Sequence, residues 1–455
     1  MLITAPAGTL RGYIQNGLGR ATGIPYARAA RFSRPKPVAL SGFGSPYLAT
    51  SPSPAAPQKI RGAGADIRQN VLVSEDCQNL SVSFPPHAPQ GENLPVMVYF
   101  HGGSYLVGSG DGARYLPTRL VLDENVVVVS VTYRLGVLGF LGGSEERPAN
   151  LGLLDAIEAL RWIKKNIAAF GGDPTNITIF GQSAGGDLCT QLMISEGVAE
   201  ETLFQRVICQ SAPLDLVNHK QKLSAHLLRK TSRVTLETPA EQVGALGWKL
   251  VLANPLRFGL YPAMMPFGTQ YSHFPLPTFG RQDDSWAGVA PQIEILVGHN
   301  HRESAYFLPK PPSALGKVAR QVYEALVARG TQDIYRKPAE HFAHRHRSTD
   351  GKATTYLLRT GHPLNHLSGA HCTELGLLFA NPAWQGDNLL AGLNGDELEH
   401  QGAALRAIWA EFARSGNLLQ ELAPQARIEL GQHLKLLGRY ERRAAVHWAG
   451  ELFYP

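Results

Sequence analysis

Four consecutive valines, Val126 to Val129, followed by Ser130 and Val131, leave their segment without a polar face. A strand of that kind must be covered on both sides, as in a mostly parallel sheet flanked by helices. Short apolar runs of similar character stand at residues 96–100, 177–180, 207–209, 293–297 and 355–358. Between two of them, Leu153, Ile157, Leu160, Ile163, Ile167 and Phe170 recur at three- and four-residue steps. That spacing predicts an amphipathic helix, and Gly171-Gly172 with Pro174 beyond supplies its stop. Strands alternating with helices place the chain in the α/β class.

Composition narrows the function classes. The net charge is +6, but 43 basic residues interleave with 37 acidic ones and form no long Lys/Arg block. A solvated, mildly basic surface is expected, and no nucleic-acid partner. The four cysteines, Cys77, Cys189, Cys209 and Cys372, show no paired spacing for zinc and are too few for a disulfide framework. The first residues lack the apolar core of a signal peptide, and no run is long enough for a membrane span. The expected location is cytoplasmic. Oligomeric state is not readable from these features.

Gly181-Gln182-Ser183-Ala184-Gly185 is a G-x-S-x-G sequence. In a chain with 47 glycines such a match arises by chance, so context decides. Residues 176–180 read as a strand immediately before it, and 184–194 as a helix immediately after. A strand-to-helix elbow strains the serine and lifts its hydroxyl above the sheet. Flanking glycines keep side chains from colliding with neighbouring backbone. Ser183 is therefore the candidate nucleophile.

His101-Gly102-Gly103-Ser104-Tyr105 follows the strand at 96–100. Acyl transfer builds negative charge on a carbonyl oxygen, which aimed backbone N–H groups stabilise. Gly102, Gly103 and Ala184 are the candidate oxyanion donors. The later Gly108-Ser109-Gly110-Asp111-Gly112 lacks the last glycine of a dinucleotide loop and joins no strand directly to a helix.

Taken together, these segments resemble the type-B carboxylesterases, the group that also contains cholinesterases and neuroligins. Gly23-Ile24-Pro25-Tyr26-Ala27, Glu75-Asp76-Cys77, residues 133–140, 150–186 and 412–417 are similar to family segments in the same order. The resemblance implies an α/β-hydrolase fold in one domain over 1–455, with a reduced helical cap in roughly 218–290. It implies a serine ester hydrolase that needs no cofactor or metal and acts on small carboxylic esters. It also supplies two partners that spacing does not. Glu303, in the segment 298–307, stands where the family has its catalytic acid. His371, in 369–375, stands where it has the general base; by residue type alone His362 and His366 compete. Ser211 matches a serine that supports the triad from behind.

The chain departs from the family in places. Gln182 stands where glutamate is commoner, Ser304 and Ser104 replace glycines, and Cys77 has no upstream cysteine to pair with. No tryptophan precedes Trp162, so choline recognition is not implied. Alternatives of another kind are a catalytically silent neuroligin-like binding module, or an amidase or lactonase using the same triad.

Outside these segments, 218–284 reads as irregular with short helical patterns. Glu75, Asp76 and Arg134 read as one buried salt-bridge cluster. His341 and His344 read as part of a basic exposed helix, with no metal bound. Met264, Met265 and Phe267 read equally as pocket lining or as core.

Overall fold

The computed structural model describes residues 1–59, 72–218, 221–253, 265–310, 316–416, 427–430 and 447–448. Its main sheet has eleven strands. In chain order they are β1 (Tyr13–Gln15), β2 (Leu18–Pro25), β3 (Asn79–Phe84), β4 (Leu94–Phe100), β5 (Val127–Thr132) and β6 (Gly172–Gln182). They continue as β7 (Arg206–Gln210), β8 (Glu294–Asn300), β9 (Ala353–Leu358), β10 (Arg427–Leu430) and β11 (His447–Trp448). The spatial order is β1-β2-β3-β5-β4-β6-β7-β8-β9-β10-β11. The pairs from β5 through β10 are parallel, and the pairs at both edges are antiparallel.

Side-chain alternation divides the core between the two sheet faces. Val127, Val129 and Val131 of β5 join Val96, Val98 and Phe100 of β4 on one face. Val128, Met97 and Tyr99 point to the other. The first face is covered by α1 (Leu151–Asn166), through Leu153, Leu160 and Ile163, and by α2 (Ala184–Met193). The second is covered by the helices Thr373–Phe379 and Gly395–Ser415, through Leu377, Leu405, Trp409 and Phe412. Each fully buried valine contributes about 1.5–3 kcal/mol, so a strand apolar on both faces strongly favours this layering.

The six runs expected as strands are all strands; four are extended at one or both ends, while those expected at 126–131 and 293–297 begin one residue later and end further on. Two expectations need correction, and one left open is settled. The 218–284 stretch is more regular than its sequence suggests. It contains α3 (Gln221–Lys230) and α4 (Ala240–Ala253), and α5 (Gln282–Val289) follows at its end. Gly247 of α4 lies so close to the loop after β4 that a Cβ there would stand 2.1 Å from Leu106 Cδ1. Arg134 pairs with Asp155 rather than with Glu75 or Asp76, which engage Arg31 and Arg28 nearer the surface. Met265 and Phe267 are core residues; Met264 lies outside the described residues. His341 and His344 are exposed on the helix Lys337–Arg347. No helix among the described residues is long and apolar enough to cross a membrane.

The topology also selects an edge. The chain leaves β4 toward β5 on one side and leaves β6 toward β7 on the other. The carboxyl ends of the adjacent strands β4 and β6 therefore form the switch point, where open α/β sheets place their ligands.

Candidate active site

Ser183 is the single residue between the end of β6 and the start of α2. Its φ of +57° and ψ of −125° lie where L-residues rarely go, a strain of about 1–3 kcal/mol. Two backbone bonds hold it there. Its N–H donates to the Gln210 carbonyl at 2.8 Å, and its carbonyl accepts from Asp187 N–H at 3.0 Å. The glycines on either side have no room for a side chain. A Cβ on Gly181 would stand 2.4 Å from the Gly185 carbonyl carbon, and one on Gly185 would stand 2.0 Å from Phe100 O. The small residues thus let α2 lie directly on the end of β4.

The loop after β4 closes against this elbow. A Cβ on Gly102 would meet Gln182 O at 2.6 Å and Ser183 Cβ at 3.2 Å. Gly103 has φ +112°, and a Cβ there would fall 2.0 Å from Val107 O. Ser104, in the place of a family glycine, also has positive φ, +58°. Tyr105 OH donates to Asp187 Oδ2 at 2.6 Å and ties the loop to α2. His101 stacks on Tyr133 at 4.6 Å, and its Nδ1–H donates to the Gly102 carbonyl at 2.9 Å. Burial pushes the His101 imidazole down to about 4, so it stays neutral and serves as a fixed strut under the loop.

Glu303 and His371 meet across the neighbouring strand ends. Glu303 follows β8 and is fully buried, and its Oε2 stands 2.5 Å from His371 Nδ1. A carboxylate at Nδ1 places the ring proton there and leaves Nε2 as the acceptor. Neither His362 nor His366 has this partner. Around the imidazole stand the rings of Phe307 and Tyr335, each at 5.2 Å, and Tyr306 at 6.1 Å. Tyr335 comes from a π-helical turn, Gln332–Arg336, which rotates it toward His371.

Two further residues were not singled out in the sequence. Asn300 N–H donates to Glu303 Oε1 at 2.6 Å, while its side-chain amide donates to Glu374 Oε2 at 2.5 Å. Asn300 therefore bridges two buried carboxylates. The hydroxyl of Ser211 donates to Glu374 Oε1 at 3.2 Å, so Ser211 reaches the network through Glu374 rather than through Glu303. Burial first, and the Glu303 charge second, push Glu374 up to about 7, against the opposing pull of His371 and Asn300. The available signal was position: Asn300 lies three residues before Glu303, and Glu374 three after His371.

Gln182 packs on the His371 ring. Its amide nitrogen is 3.1 Å from His371 Nε2 and 3.4 Å from Nδ1. The two in-plane axes of the ring nitrogens diverge, so one atom close to both sits against the ring rather than in line with either. Among the described residues no hydrogen bond joins the Ser183 hydroxyl to His371. Both instead line one pocket of about 180 Å³, together with Gly102, Gly103 and Gln182. Ala184 opens α2 immediately behind Ser183. Gly108 and Gly112 also line this pocket, while Asp111 between them is used up on Arg20, Ser53 and Ser81.

The chain matches the model of the carboxylesterase family over residues 1–249. It belongs to that family. A probable N-octanoylanthranilate hydrolase of Rhodococcus erythropolis is 33% identical over 453 residues, covering 93% of this chain and 95% of that protein. The phenmedipham hydrolase of Pseudarthrobacter oxydans is 31% identical, covering 93% and 92%. Among solved structures, a thermophilic PNB esterase superposes with a TM-score of 0.78 at 26% identity, covering 95% of this chain and 96% of that one. A carboxylesterase of Geobacillus stearothermophilus gives 0.74 at 26%, covering 98% and 100%. This carboxylesterase accordingly has the α/β-hydrolase fold, and ester hydrolysis is its chemistry.

Proposed function

We propose that the chain cleaves carboxylic esters in two acyl transfers through Ser183, with His371 as general base and Glu303 as the group that orients it. The observation that carries this is the 2.5 Å Glu303–His371 contact opening on the same pocket as a serine held on a strained elbow. An ester entering the pocket brings the Ser183 hydroxyl into line with Nε2, a tightening common between free and occupied sites. His371 takes the hydroxyl proton as Oγ attacks the carbonyl carbon. The tetrahedral oxyanion is held by the N–H groups of Gly102, Gly103 and Ala184, each contributing about 2.7–4 kcal/mol. His371 then protonates the departing alcohol, and a water activated by the same base releases the acid. Glu303 keeps the proton on Nδ1 and stabilises the imidazolium formed in each step.

A second reading is favoured by the name of the Rhodococcus relative, whose substrate carries an N-acyl group. The same serine, base and oxyanion donors serve acyl transfer from nitrogen. The test is turnover of p-nitrophenyl butyrate and of the matching N-acyl anilide by wild type and Ser183→Ala. Wild type is expected to cleave the ester, and the variant to lose at least about a thousandfold in kcat. Equal turnover by both proteins would remove Ser183 from the mechanism.

A further inference from the structure

One wall of the catalytic pocket is built by two loops distant in sequence. Arg114 and Tyr115 come from the segment after β4, and Trp384 and Leu389 from the segment beyond His371. The two are tied at several points. The Arg114 carbonyl accepts from Asn381 Nδ2 at 2.9 Å and from the Trp384 indole N–H at 3.0 Å. The Arg114 guanidinium lies 4.5 Å over the Trp384 ring, and its Nη2 meets Asp387 Oδ2 at 2.5 Å. The other oxygen of Asp387 accepts from Leu389 N–H at 2.8 Å, which fixes Leu389 in the lining. Trp384 and Leu389 are each only 4% exposed.

We propose that this Arg114–Trp384–Asp387 assembly sets the substrate specificity of the site, restricting the group lodged against it to a compact apolar one. The proposal rests on the ester-hydrolase reading above. Three features support it. The wall faces the pocket with Trp384, Leu389 and Leu375, which select for apolar matter. The charge of Arg114 is met by Asp387 and its flat face by Trp384, so its role is mechanical and not the reading of a substrate anion. The bonds to the Arg114 carbonyl fix the wall before substrate arrives, so a bulkier group meets a barrier instead of a yielding surface.

The experiment uses the full chain and two substrate series. In one, p-nitrophenyl esters lengthen and branch on the acyl side. In the other, acetates carry alcohols of increasing bulk and are followed by acid release. Leu389→Ala and Trp384→Ala are expected to raise kcat/KM for bulky members relative to small ones by at least roughly tenfold in one series. Asp387→Asn, which leaves the lining intact but releases Arg114, is expected to shift the same series less, chiefly through KM. If Trp384→Ala does not fold, Leu389→Ala carries the test. Unchanged ratios in both series, in a variant that melts like wild type, would overturn the proposal while leaving the hydrolase reading intact. A selective loss by Arg114→Met on p-nitrophenyl hemisuccinate against butyrate would overturn it too, because the wall would then be an anion reader. Failure of the wild type on every ester would instead sink the hydrolase reading itself.

Discussion

Glu374 shows how one buried carboxyl links the site to the stability of the chain. Burial and the Glu303 charge raise its folded value from 4.5 to about 7. The folded state therefore keeps a proton that the unfolded state releases as pH rises above 4.5. Stability falls across the window from 4.5 to about 7, with a slope of at most roughly 1.4 kcal/mol per pH unit. Above that window both states are ionised and the slope vanishes. Glu374→Gln keeps an acceptor for Asn300 and removes the titration. Urea unfolding at pH 5 and pH 8 is expected to show a smaller loss of stability over this interval in the variant than in wild type. Parallel losses in the two proteins would assign the pH dependence to other groups. The residue itself stood inside a recognisable segment, but its pairing with Asn300 and Ser211 is a matter of folded distance, which no spacing reveals. The same holds for Glu303 and His371, 68 positions apart, whose partnership came from family resemblance. Ser183 was legible locally because the flanking glycines and the strand-then-helix pattern that mark it lie beside it in the sequence, although the bonds that hold it come from Gln210 and Asp187.

The elbow makes a prediction at the scale of elements. Helix α2 can lie on the end of β4 only while position 185 has no side chain. In Gly185→Ala the new Cβ, 2.0 Å from Phe100 O, must push α2 away from β4, and these elements carry Ser183 and the Gly102–Gly103 loop. A displacement of about 1 Å at a reacting centre costs on the order of a hundredfold in rate. The variant is thus expected to lose at least that much kcat while retaining most of its far-ultraviolet dichroism. Wild-type kcat in Gly185→Ala would show that the contact yields without cost. Elements with one strong period were readable: the β4–β9 strands through their apolar runs, and α1 through its three- and four-residue steps. β3 was not, because it is fully buried yet alternates with Ser81 and Ser83. Ser81 is satisfied inside by Asp111 and Gly23, a compensation invisible in one dimension. The long helix Gly395–Ser415 carries its clearest signals at its ends, where Asn394 and Glu397 form its capping box and Gly416 ends it in the left-handed region. In 218–284 the helices α3 and α4 were masked by intervening Pro, Thr and Ser, which break the pattern between them.

For the molecule as a whole, the Arg134–Asp155 pair is the buried polar link between the sheet and the helix layer that Leu153, Leu160 and Ile163 pack against it. Arg134 follows β5, and Asp155 lies in the second turn of α1. Asp155 Oδ2 accepts from Arg134 N–H at 3.0 Å and Nε at 2.8 Å, and Oδ1 accepts from Nη2 at 2.8 Å. Nη1 donates to the Ser33 carbonyl at 2.8 Å, drawing the N-terminal segment onto the same point. Exposure of the two side chains is 4% and 0%, so neither charge has water to fall back on. The attraction within such a pair is offset by the cost of drying both ions, so intact it adds little net stability. Broken, it leaves a charge stranded in the interior. Asp155→Ala is therefore expected to destabilise the fold by about 3–5 kcal/mol in urea unfolding. The double variant Arg134→Met with Asp155→Leu removes both charges at similar volume and is expected to recover much of that loss. A double variant as unstable as Asp155→Ala would show that the backbone bonds to Arg134 N–H and Ser33, and not the unpaired cation, hold the layers together.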